Sequence, residues 1–257
     1  MAAQIHQFMC LKDNFGALIH DPDTGATAAI DAPEAAPVEA ALEETGWPLT
    51  DILITHHHKD HTGGLTELKA RHPGARVVGS AGDRDRYEGI EVYVDDGDTV
   101  TVGGLQARVI NTPGHTRGHV VYYFDADRIL FAGDTLFSVG CGKSSELPAS
   151  VLYDSIRALV SILPEDTMLY CGHEYTVKNA QFALTVDPDN LFLKSRLDEA
   201  TKLRSMGLPT LPSRWADELR TNPFLRADVA EISRMLNMEG STPAEVFARL
   251  RDLKNRF

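Results

Sequence analysis

Short apolar runs, each closed by a polar or glycine-containing loop, recur through the first two thirds of the chain. Ala28-Ala29-Ile30 ends at Asp31, and Ile52-Leu53-Ile54 ends at Thr55-His56-His57-His58-Lys59-Asp60-His61. Residues 107–110 lead into Thr112-Pro113-Gly114-His115, Ile129-Leu130-Phe131 into Gly133-Asp134, and Met168-Leu169-Tyr170 into Gly172-His173. Runs of this length and composition predict strands, each delivering a polar residue at its C-terminal end. Residues 36–44, 65–71 and 151–163 carry helical patterning, while residues 92–102 and 120–129 read as hairpins. The mixture predicts an α/β fold with sheets covered by helices and with function gathered at the strand ends.

After about Thr176 the strand pattern stops, which places a domain boundary between residues 1–175 and a helical region over 176–257. Residues 176–185 and 191–206 have helical periodicity, broken by Asp187-Pro188 and by the stretch 207–212. The last helix is the most sharply marked. Thr242 caps it, Pro243 suits its first position, Glu245 completes a capping box, and Phe247, Leu250 and Leu253 form an apolar stripe. Arg251 and Lys254 share a face of this helix, by default a solvated basic edge.

Composition narrows the function classes. At 257 residues the chain accommodates one large domain, or one domain with an appendage. Its formal net charge of -12 argues against nucleic acid or an anionic membrane as the main partner, so an anionic substrate would need a local basic patch. Neither a secretory-type N-terminal segment nor a bilayer-length apolar run is present, and a cytoplasmic monomer is the expectation. Cys10, Cys141 and Cys171 have no metal-ligand or redox spacing and read as small buried residues in a reducing compartment.

The histidine run carries the chemistry. In an extended segment His56 and His58 point the same way and can converge on one ion while His57 turns away. Asp60 and His61, beyond the turn, are placed for a second ion. Imidazole with carboxylate suits zinc, iron or manganese. The other strand ends supply what the run lacks. His115 could complete a three-histidine site with His56 and His58, His173 could join Asp60 and His61, and Asp134 could bridge both ions. Taken singly, each has a plainer role: His115 as a turn residue, Asp134 as a helix cap, His173 as a partly buried core histidine. This donor count leaves room at each metal for water, as catalytic sites require.

Those residues fill the pattern His-x-His-x-Asp-His followed by separated His, Asp and His, and the chain thereby resembles the metallo-β-lactamase superfamily. The resemblance implies an αββα sandwich with a binuclear site at one edge, and it gives Asp31 and His119 the role of supporting the ligands. Within the superfamily the chain is most similar to the glyoxalase II (hydroxyacylglutathione hydrolase) family. Gly140-Cys141-Gly142-Lys143, Tyr170-Cys171-Gly172-His173-Glu174-Tyr175-Thr176 and the closing helix with Arg251, Lys254 and Phe257 carry that match. By resemblance, Lys143, Tyr175, Arg251 and Lys254 hold the glutathione part of a thioester, and residues 176–257 form the substrate-binding domain. Where the family often has an aromatic residue after the lysine, this chain has Ser144-Ser145.

The implied reaction is hydrolysis of S-(2-hydroxyacyl)glutathione, chiefly S-D-lactoylglutathione, in methylglyoxal detoxification. Two divalent ions per chain, zinc first and iron or manganese as alternatives, would supply hydroxide oriented by Asp60 and Asp134. Three rivals share parts of this pattern: a single-iron glutathione persulfide dioxygenase, a hydrolase of another electrophile on the same fold, and a metal-binding structural protein.

Overall fold

The structure is a computed structural model that describes all 257 residues. Close pairing begins at once: β1 (Gln4–Cys10) and β2 (Asn14–His20) form an antiparallel hairpin, and β3 (Thr27–Ile30) pairs antiparallel with β2. Helix α1 (Ala35–Thr45) returns the chain so that β4 (Asp51–Leu53) lies parallel to β3. The short α2 (Lys59–Thr62) and α3 (Leu65–Arg71) precede β5 (Arg76–Ser80), parallel to β4, and β6 (Val92–Val94) ends this sheet parallel to β5. A second, antiparallel meander follows in β7 (Thr99–Val102), β8 (Leu105–Asn111), β9 (Val120–Phe124) and β10 (Ile129–Phe131).

The expected hairpin over 92–102 is not formed. β6 pairs with β5 and β7 with β8, so the Asp95-Asp96-Gly97-Asp98 turn carries the chain from one sheet to the other. The turn signal was real, but the partner strands lie elsewhere. Asn111 fastens the turn through its backbone N–H to Asp96 Oδ1 (2.9 Å) and its side-chain amide to Asp95 Oδ1 (2.6 Å). The Asp96 N–H (2.8 Å) and then the Asn111 side-chain amide, both donating to Asp95 Oδ1, hold its carboxyl below the ordinary range. The hairpin expected over 120–129 is present as β9–β10.

By internal contact the chain divides into two compact units, Met1–Asn111 with Arg117–Gly133, and Thr112–Thr116 with Asp134–Phe257. In the first unit α1 and α3 cover the first sheet. Val38, Ala41 and Leu42 of α1 and Leu65 and Leu68 of α3 pack on Leu18, Ala29, Ile52 and Val77. Burial of each such side chain contributes about 1.5–3 kcal/mol of transfer free energy for the larger residues. The Tyr122 hydroxyl donates to Ile54 O (2.9 Å) and the Val120 N–H to Thr55 O (2.9 Å), tying β9 to the end of β4 where the histidine run begins.

The second unit is mostly helical. It holds the two-residue strands β11 (Leu136–Phe137) and β12 (Gly140–Cys141), which pair as a tight hairpin, then α4 (Ala149–Ile162) and β13 (Met168–Tyr170). Then come α5 (Thr176–Val186), α6 (Leu191–Ser205), β14 (Ser213–Arg214), α7 (Trp215–Thr221), α8 (Ala230–Met235) and α9 (Pro243–Arg256). β14 pairs with β13 and is the exception to the expectation of helix throughout the C-terminal region; two residues are too few to show a strand period. Ala180, Ala183 and Leu193 of α5 and α6 pack on Val139, in the hairpin turn. The capping box of α9 is present, and its Val246, Phe247 and Leu250 are buried, with Phe247 against the rings of Tyr153 and Phe224.

Candidate metal centre

The first unit carries the histidine run. His56, His57 and His58 follow β4 without regular structure, and Asp60 and His61 fall in the first turn of α2. Asp31 organises this segment from the end of β3. Its Oδ1 accepts the Thr55 N–H (2.7 Å), and its Oδ2 accepts the Thr55 hydroxyl (2.9 Å) and faces His61 Nδ1 (2.7 Å). With its proton committed to Asp31, the Thr55 hydroxyl can only accept from His56 Nδ1, 3.0 Å away. His56 and His61 are thus protonated on Nδ1, and each keeps its Nε2 lone pair for an ion. Thr55 is a functional residue missed by the sequence reading, although it opens the run. His119 stacks on His56 with centroids 4.8 Å apart and is buried, as is Asp31.

The second unit repeats this logic with different partners. His115 donates from Nδ1 to Lys143 O (2.8 Å), which again leaves Nε2 as the ligand nitrogen. Asp134 Oδ2 lies 3.5 Å from His115 Nε2 and 3.4 Å from His173 Nε2, and all three side chains are buried. Asp134 is held from behind by a close backbone approach: a Cβ on Gly142 would lie 1.9 Å from Asp134 O, so only glycine fits there.

The candidate metal-ligating side chains are His56, His58, Asp60 and His61 in the first unit and His115, Asp134 and His173 in the second. Imidazoles with oriented Nε2 atoms, beside two carboxylates, are the donor chemistry of a divalent transition-metal site, and the residues fit the ions expected of them. His57 and Lys59 fall outside this set.

The four residues assigned to substrate fall in the second unit with different exposures. Lys143 is exposed, and Tyr175 is half-buried, stacked on His173 at 4.7 Å with the planes 5° apart. Arg251 does not lie on a solvated edge. It is only 7 % exposed, and its Nη1 donates to Cys141 O (2.7 Å) and Gly142 O (3.4 Å), so it fastens the segment that leads to Lys143. Lys254 donates to Lys178 O (3.2 Å), with its ammonium 5.3 Å from the Phe182 ring centre and 5.1 Å from that of Phe257. Burial, then the nearby charges of Arg251 and Lys178, lower its pKa to about 8. Ser145 takes a local role instead of an aromatic one, donating to His115 O (3.0 Å).

Two further residues of this unit escaped the sequence reading. Glu218 accepts the Val139 N–H (2.8 Å), and Asn222 donates to Phe137 O (3.2 Å) and Gly140 O (3.0 Å), so α7 and its C-terminal cap hold the β11–β12 hairpin. Nothing in the local sequence marks them, because their partners are about 80 residues away. The three cysteines are buried and free, as read. Burial pushes Cys10 up to about 12 and Cys141 to about 11, and raises Cys171 as well, so none is poised as a thiolate nucleophile.

The sequence model of the Metallo-beta-lactamase superfamily matches residues 23–173, and the fold and ligand array define a metal-dependent enzyme of that class. The model described as Hydroxyacylglutathione hydrolase C-terminus matches residues 174–257. A hydroxyacylglutathione hydrolase of Bradyrhizobium sp. (strain ORS 278) is 54% identical over 256 residues, and one of Rhodopseudomonas palustris (strain BisA53) is 52% identical over 256 residues, each match covering 100% of both chains. The chain belongs to the hydroxyacylglutathione hydrolase family of the metallo-β-lactamase superfamily. Among solved structures, ETHE1 from Myxococcus xanthus superposes with a TM-score of 0.66 at 27% identity, covering 98% of each chain. TTHA1623 in a di-iron-bound form gives 0.61 at 21% identity, covering 86% of this chain and 100% of the other, and shows the shared fold.

Proposed function

We propose that this protein hydrolyses S-(2-hydroxyacyl)glutathione, S-D-lactoylglutathione foremost, to glutathione and the free 2-hydroxy acid. The observation that carries the reading is the set of histidines anchored through Nδ1 in each unit, with Asp134 beside His115 and His173 in the second. His56, His58 and His115 would hold one ion and Asp60, His61 and His173 the other, and Asp134 would serve both. Zinc is the proposed ion, and iron and manganese are served by the same donors. When bound, such ions make a hydroxide nucleophile available at neutral pH and act as a Lewis acid toward the developing oxyanion.

The chain's own residues orient, bind and anchor. Asp60 and Asp134 orient the attacking oxygen. Lys143 and Lys254 attract the carboxylates of glutathione, Tyr175 lines its path, and Arg251 acts on it from within the segment it fastens. The departing thiolate leaves without a dedicated acid, and the raised thiols of Cys141 and Cys171 leave no second nucleophile to invoke. Residues 1–175 form the catalytic domain and 176–257 the helical substrate-binding domain of a cytoplasmic monomer. No helix is long and apolar enough to cross a membrane.

The single-iron dioxygenase reading is not favoured by full-length relatives at 52–54% identity that carry the hydrolase name. A spectrophotometric assay separates the readings: loss of S-D-lactoylglutathione absorbance with release of free thiol is expected, and oxygen uptake on glutathione persulfide without thioester cleavage overturns the proposal.

A further inference from the structure

His57 interrupts the ligand run, and the sequence gives it no task. The structure binds it on both sides. Its Nδ1 lies 3.1 Å from Asp83 Oδ2, and its Nε2 lies 3.1 Å from Nη2 of Arg86. A guanidinium only donates, so Nε2 must accept and the imidazole proton must sit on Nδ1, facing Asp83. Asp83 is 1 % exposed and ends the 3-10 turn Ala81–Asp83, which Ser80 caps through the Gly82 N–H (3.1 Å). A buried carboxylate in a short turn is costly unless its oxygens are used.

Its other oxygen reaches the second ligand-supporting segment. A Cβ on Gly118 would lie 2.3 Å from Asp83 Oδ1, and one on Gly82 would lie 2.9 Å from Gly118 Cα, so the turn and the Gly118-His119 segment touch backbone to backbone. His119 in turn stacks on His56. One carboxylate therefore abuts both neighbours of His56: His57 beside it in sequence, and the segment that carries the ring stacked on it.

We propose that Asp83 and His57 are positioning residues for the metal-binding run, with Asp83 setting the direction of His57 and the packing of Gly118-His119, and so the orientation of His56. This rests on the binuclear reading above: His57 binds no ion, yet it positions residues that would. Partners that orient metal ligands from outside cost about 10–100-fold in metal affinity when removed.

The test is metal affinity by chelator competition on the intact chain, with wild type as reference, beside long-range proton–nitrogen NMR of the imidazoles in the metal-free protein. Asp83→Ala and His57→Ala are expected to weaken zinc binding by about 10–100-fold. Asp83→Asn, which keeps an acceptor for Nδ1–H, is expected to retain affinity within about threefold of wild type, on the same scale. The NMR spectrum is expected to show His57 protonated on Nδ1. Unchanged affinity in His57→Ala, the mildest variant for folding, overturns the proposal, and so does a His57 proton on Nε2. Failure of the wild-type chain to bind zinc would instead strike the binuclear reading.

Discussion

The proposed metal end and the proposed substrate end of this protein use their charged groups in opposite ways. At the metal end His56, His61 and His115 are tied through Nδ1 to acceptors of the surrounding fold, Thr55, Asp31 and Lys143 O, so the direction of each ring is fixed in advance. At the substrate end the cations divide: Lys143 is exposed, Lys254 is half-sheltered beside two rings, and Arg251 has turned inward to bind Cys141 O and Gly142 O. The first arrangement is a rigid scaffold for ions. The second is a surface of graded exposure, in which one cation builds the segment that presents another.

The comparison breaks first at Asp134. If its carboxylate joins the ligands, Asp134→Ala should lower activity by at least about a hundredfold, the upper end of the effect of losing a mere supporting partner. Elemental analysis should show metal lost with it; full metal content at low activity would confine Asp134 to orienting the nucleophile.

Arg251 gives the next largest effect and separates binding from building. Arg251→Ala leaves buried carbonyls of residues 141 and 142 without their donor, at a cost of about 1–3 kcal/mol in stability, together with a raised KM. Arg251→Lys should recover little of either, because an ammonium cannot reproduce the guanidinium geometry. Chemical denaturation beside kinetics checks this; a raised KM with unchanged stability would return Arg251 to a purely substrate-facing role.

Lys254 predicts a pH dependence. Its folded pKa of about 8 lies below the ordinary lysine value, so it loses its charge as pH rises through 8. KM should therefore climb above pH 8, and Lys254→Met should flatten that climb. The stability effect has the opposite sign: between pH 8 and the unfolded lysine value the unfolded chain holds more protons, so this group makes the fold more stable as pH rises. Parallel KM and denaturation series across pH 7–10 test both signs.

The smallest effect belongs to the α9 cap. Thr242→Ala removes the capping hydroxyl and should cost about 1 kcal/mol, read as a lowered Tm, with kcat unchanged.

The two ends were also unequally legible in the sequence. The candidate ligands were readable because four crowd into six residues and the rest closely follow apolar runs. Arg251 was legible as a basic residue on a helix face but not as a buried one, since burial depends on the hairpin about 110 residues earlier. The 92–102 stretch failed for a related reason: a turn signal is local, but the choice of partner strand is made by β5 and β8. Asp83 lies outside every motif and becomes visible only through His57 and Gly118.

The most direct test of the central claim is a metal titration of the demetallated chain, following thioester hydrolysis at each addition. The account predicts that hydrolysis of S-D-lactoylglutathione rises until two equivalents of divalent ion per chain are bound. Full activity at one equivalent, with no further ion taken up by Asp60, His61 and His173, would contradict it.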